Sequence, residues 1–121
     1  MKFRHDDMPD QINKDGVRIQ SRDCGELNVA HICFPAGADA KPLLEGLPDD
    51  LCQVPHWGMV LEGSINVEYA DGTTEKVSEG EVYYWPPGHT VSVDETYRAI
   101  EFSPKVEMSE LIEHLRGKMG A

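Results

Sequence analysis

Apolar and polar residues alternate with a period of two along most of the chain, the pattern of half-buried β-strands. LNVAHICF (27–34) puts Leu27, Val29, His31 and Cys33 on one face and Asn28, Ala30, Ile32 and Phe34 on the other, and Pro35 and Gly37 end it. WGMVLE (57–62) and SINVEYA (64–70) flank Gly63, and Asp71–Gly72 is a hairpin signal followed by a return strand at 73–77. Glu79–Gly80 predicts another turn before EVYYW (81–85), which Pro86, Pro87 and Gly88 break. TVSV (90–93) and TYRAIEF (96–102) complete the set. Short strands at this close and regular spacing predict an all-β sandwich or barrel. Beyond Pro104 the period changes. Ser109 is the expected N-cap of a helix over roughly 108–117, with Leu111, Ile112 and Leu115 on its apolar face and Arg116 and Lys118 near its C-terminal end.

Two stretches are less regular. Residues 1–26 carry a weak pattern and are expected to form an N-terminal arm, with VRIQ (17–20) as a short edge strand. The body is then 27–104 and the helical segment 105–121. The loop over 35–50, rich in Pro, Gly and Asp, is the longest irregular stretch. Loops of that length in a compact domain are functional or mobile, and this one is expected to cover the barrel mouth.

Length and composition narrow the class. A chain of 121 residues, 40% apolar and 27% charged, is expected to be one globular domain. No apolar run approaches the roughly 20 residues of a membrane span. The polar start, MKFRHDDMPD, does not read as a signal peptide, so a cytoplasmic location is expected. Three cysteines without regular spacing do not make a disulfide framework. A net charge of −11 argues against nucleic acid as a partner, because phosphate binding needs a basic face, and reads as solubility.

The candidate chemistry lies at the two ends of 50–89, where Asp50, Cys52 and His56 stand at one end and His89 at the other. A barrel would bring these ends together. V60-L61-E62-G63 and the Gly80…Pro86-x-Gly88 spacing, with FPAG (34–37) upstream, resemble the two motifs of the cupin superfamily. The likeness covers about 27–103 and implies a double-stranded β-helix, a jelly-roll barrel with a short C-terminal helix. Carried over residue by residue, it departs at the metal ligands. The first motif's His-x-His-x3-Glu falls on Asp50, Cys52 and His56, and the second motif's histidine falls on Val91, two residues beyond His89. In an extended strand, positions 89 and 91 face the same way. The resemblance therefore implies a divalent metal held by Cys52, His56 and His89, and zinc suits that donor set.

His31, Asp50 and Tyr84 are the further candidates for the pocket wall. Three readings follow. The first is a metal-binding protein for a small polar molecule, with enzymatic use of the ion. The second is a metal-free cupin that binds or senses a small molecule or works as an isomerase-like pocket. The third is an interaction module. A homodimer is expected under each, because exposed sheet edges need covering.

Overall fold

The alternation read from the sequence becomes nine strands and one long helix in a computed structural model, which describes residues 1–121. The strands are β1 (Asp10–Lys14), β2 (Val17–Cys24), β3 (Leu27–Phe34), β4 (His56–Glu62), β5 (Ser64–Tyr69), β6 (Thr74–Ser78), β7 (Val82–Trp85), β8 (His89–Ser92) and β9 (Tyr97–Pro104). A four-residue helix α1 (Lys41–Leu44) lies in the long loop, and α2 (Lys105–Met119) follows the last strand. Six strands form one antiparallel sheet in the order β1-β2-β3-β9-β4-β7, and three form a second in the order β6-β5-β8. Inward residues of both sheets (Ile12, Ile32, Val60 and Ala99 from the first, Ile65, Val67 and Val77 from the second) make one buried core. Burial of such side chains stabilises by about 1.5–3 kcal/mol each.

Residues 10–24 are not an arm. β1 and β2 are hydrogen-bonded members of the large sheet, and Ile12 and Ile19 are buried in the core. The Asp15–Gly16 turn between them is short and polar, which hid the pairing. The helix also starts earlier than its expected N-cap. Pro104 precedes its first turn, Ser109 lies inside it, and Met108 is buried beneath it.

A second, smaller core ties the helices to the barrel end, joining Leu44 of α1, Cys52 and Val54 of the loop, and Met108, Leu111 and Ile112 of α2. The far end of α2 is held on β1. Lys14 Nζ donates to the Met119 carbonyl at 2.7 Å, and Arg116 donates to the Gln11 carbonyl at 2.9 Å and to its side-chain oxygen at 2.8 Å. A cation at a helix C-terminus also meets the negative end of the dipole. The two helices thus roof one end of the sandwich, over the side chains described next.

Candidate metal centre

β4 alternates strictly, with His56, Gly58 and Val60 inward and Trp57 and Met59 outward. Register then decides the neighbours. His56 pairs with Trp85 on β7, and Gly58 lies between Tyr83 on β7 and Glu101 on β9. A Cβ built on Gly58 would stand 2.5 Å from the Tyr83 hydroxyl, so the missing side chain is the gap through which that hydroxyl crosses. It donates to Glu101 Oε1 at 2.8 Å.

Cys52 reaches the same place from the loop. Its N–H donates to the His89 carbonyl at 2.8 Å and the His89 N–H donates back at 3.2 Å, an isolated antiparallel bridge. The chemical groups of Cys52, His56 and His89 lie within 4.8 Å of one another, and all three residues are buried. Cys52 Sγ is 3.6 Å from His56 Nε2.

The other ring nitrogens are engaged. His56 Nδ1 lies 2.6 Å from Ser103 Oγ and 3.4 Å from Glu101 Oε2, and His89 Nδ1 lies 2.8 Å from the Pro86 carbonyl. A carbonyl only accepts, so His89 carries its proton on Nδ1 and leaves Nε2 with a lone pair. His56 is arranged alike, its Nδ1 turned to a hydroxyl and a carboxyl. This is how metal-ligating imidazoles are oriented by outer partners. The donor set fits a zinc-type ion: one sulfur and two imidazole nitrogens are its usual ligands, and a tetrahedral ion would hold S and N roughly 3.6 Å apart.

Burial controls the charges. It pushes the Cys52 thiol up to about 12 and holds His56 down at about 3. His89 sits at about 4, mainly through burial and secondly through His56. Glu101 is raised to about 7 by burial, against a smaller opposing effect of the Tyr83 hydrogen bond. Without a metal the site is therefore a neutral thiol and two neutral imidazoles.

This has a sign for stability. In the metal-free protein the two imidazoles bind fewer protons folded than unfolded, between their depressed values and the ordinary 6.5, so stability falls as pH drops through that window. Glu101 acts oppositely between 4.5 and 7. His31, also held down at about 4 by burial, acts with the two imidazoles, so the histidines outweigh the carboxyl and net stability falls from pH 6.5 to 4.5. Urea midpoints across that range should fall accordingly, and a flat profile would contradict the assigned burial of these groups.

The three further candidates lie elsewhere. His31 is buried on the opposite face of β3. It stacks on His5 at 4.1 Å between ring centres, receives an Arg98 N–H at Nε2 (3.0 Å), and has Nδ1 3.2 Å from Gln20 Oε1. Ile32 and Phe34 are the β3 residues at the cavity. Asp50 is exposed and accepts the Gly46 N–H at 2.9 Å, closing its own loop. Tyr84 faces outward and stacks on Trp57, while Tyr83 and Trp85 take the inward side of β7. Alternation along EVYYW leaves open whether Tyr84 or Tyr83 with Trp85 turns inward, and the structure turns the latter inward; Glu101 and Ser103 are not among the expected residues. The signal for Glu101 and Ser103 was present in TYRAIEFS, where alternation puts both on the face of Tyr97 and Ala99.

A cavity of about 100 Å³ opens beside the donors, with Cys52, His56, His89 and Glu101 in its wall. Residues of β2, β3, α1 and α2 complete it, most of them apolar. The long loop does cover the barrel end, through Leu43 and Leu44 of α1.

No family model and no curated protein sequence matches the chain. Solved structures do. A mutant of Bacillus subtilis oxalate decarboxylase aligns at 19% identity and TM-score 0.65, covering 86% of this chain and 29% of that one. A structure of the same enzyme is described by its Mn(II) centres. A protein from Neisseria meningitidis aligns at 12% identity and TM-score 0.54, covering 71% of this chain and 81% of that one. The chain thus spans under a third of the length of the decarboxylase it resembles. At these identities the likeness concerns architecture alone, and the shared architecture is a double-stranded β-helix, a jelly-roll barrel.

Proposed function

We propose that this protein binds a divalent cation, zinc first, through Cys52 Sγ, His56 Nε2 and His89 Nε2, next to a cavity that takes a small molecule. The observation that carries this reading is the convergence of three buried donors within 4.8 Å, with the second nitrogen of each imidazole already hydrogen-bonded. A thiolate-containing set suits zinc better than manganese, which prefers oxygen and nitrogen. When bound, such an ion polarises a carbonyl or carboxylate oxygen. The chain's own residues do the rest. His56 is held by Ser103 and Glu101, the apolar wall excludes water, and Glu101 with Tyr83 keeps a proton close to the donors. Three free cysteines suit the reducing conditions of the cytoplasm, the setting we infer.

The test is metal analysis of protein purified without added metal, followed by melting with and without a chelator. About one equivalent of zinc is expected, with a lower melting temperature on chelation. Zinc added to the stripped protein at pH 7 should release a proton, because the Cys52 thiol at about 12 must ionise to bind. Absence of metal, with no response to added zinc, overturns the reading. One observation would then favour a metal-free pocket: a wholly buried carboxyl at about 7 beside a neutral imidazole is an acid–base pair in its own right.

We also propose a homodimer through the outer face of β9, β4 and β7. Trp57, Met59, Tyr84, Phe102 and Val82 are all exposed there, Val82 by 78%. Register makes them one patch, with Trp57 opposite both Tyr84 and Phe102 and Met59 opposite Val82. It borders β7, an edge strand whose one partner is β4. Contiguous apolar surface beside an open edge favours a second copy of the chain. Light scattering after gel filtration should give a dimer, and Val82→Lys with Tyr84→Lys should give a monomer that still binds zinc.

A further inference from the structure

The lining of the cavity is unlike that of a pocket for a small polyanion. Of its 23 residues 17 are hydrophobic, and none is Lys or Arg. No lysine or arginine in the wall therefore meets the charge of an anion. Trp85 Nε1, on a residue that lines the cavity, is buried without a hydrogen-bond partner. Trp85 is 3% exposed, and its ring centre lies 5.5 Å from that of His89. An indole N–H only donates, so what it lacks is an acceptor. An unmet buried donor costs about 1–3 kcal/mol, which a ligand oxygen would recover.

From these observations we propose the ligand class. The cavity takes a compact aliphatic molecule with one hydrogen-bond-accepting oxygen head, a branched ketone or a monocarboxylate of about four to six heavy atoms, and rejects dianions such as oxalate. The head lies between Trp85 and the donor cluster. The branched tail lies against Ile19, Ile32, Phe34 and Leu115. The inference rests on the cavity being the binding site and does not require the metal. The head chemistry separates two forms. A neutral ketone needs no counter-charge in the metal-free protein, whereas a carboxylate needs a cation beside it.

Three probes of similar size decide it: 3-methyl-2-butanone, isobutyrate and oxalate. Each is titrated into zinc-loaded and chelator-treated protein, reading melting temperature and the emission of Trp85. The chain has two tryptophans, so Trp57→Phe, a change on the outer face, leaves Trp85 as the one reporter. The ketone should raise the melting temperature by about 5 °C at saturation in both forms and shift the Trp85 emission. Isobutyrate should bind the zinc form at least about tenfold more tightly than the stripped form, and oxalate should move neither signal in the stripped form. The proposal fails if oxalate stabilises the protein as much as the ketone does, or if no probe moves either signal. Zinc binding with no ketone response would sink the ligand class and leave the metal reading standing. A ketone response in protein that never binds zinc would do the reverse.

Discussion

Replacing His56 with alanine is expected to lower zinc affinity by more than about 100-fold. Loss of an outer partner of a metal ligand costs about 10–100-fold, and His56 is itself one of three donors. Ser103→Ala, which removes the hydroxyl 2.6 Å from His56 Nδ1, should therefore fall in the lower range, about 10-fold. The ranking matters more than either value. If the three side chains were only a packed hydrogen-bond cluster, Ser103→Ala and His56→Ala would alter stability and leave zinc uptake alike. His56→Ala also leaves Glu101 and Ser103 short of a buried partner, at about 1–3 kcal/mol, a loss that urea denaturation in chelator reads separately. Competition titration with a chromophoric chelator reads the affinity. Equal zinc affinity in wild type and His56→Ala would remove the site.

The second large effect is expected at Gly63, in the tight link between β4 and β5. Its φ is +77°, and a Cβ there would stand 2.3 Å from the Thr96 carbonyl oxygen. That oxygen belongs to backbone. It cannot withdraw, because Tyr97 next to it is 1% exposed and starts β9. Gly63→Ala should cost about 3 kcal/mol, combining about 1–2 for left-handed backbone with the strain of overpacking. Gly72 provides the comparison. Its φ is +86°, but nothing lies within 4 Å of its Cβ position. Gly72→Ala should show the backbone cost alone, about 1 kcal/mol. Similar urea midpoints for the two variants would mean that the close approach at Gly63 relaxes freely.

The strands were readable because alternation and turn residues report on nearest neighbours, and Asp71–Gly72 or Pro86–Gly88 act over a few positions. The convergence of Cys52, His56 and His89 was readable because spacing around Gly63 and Gly88 fixes where they fall. Alternation does not say which face turns inward. Tyr84 and Tyr83 are equal on that measure, and pairing of Tyr83 with Gly58 and Glu101 decides between them. His31 was harder still. Both faces of β3 hold buried residues, because the segment carrying His5 packs on its outer side. Glu101 escaped notice because its partners, Tyr83 and His56, are distant in sequence and meet it only once the sheet order is set.

The bridge between Cys52 and His89 is made by main-chain groups alone. Such bonds are indifferent to the side chain attached, so the scaffold presents whatever residue stands at either position at the same depth and in the same direction. Side-chain identity can then change without the barrel being rebuilt: in the proposed zinc site, Cys52→His would replace the sulfur donor with nitrogen and shift the preference among metals. Cys52, standing where the cupin motif has a histidine, is the kind of variation that such a backbone tolerates.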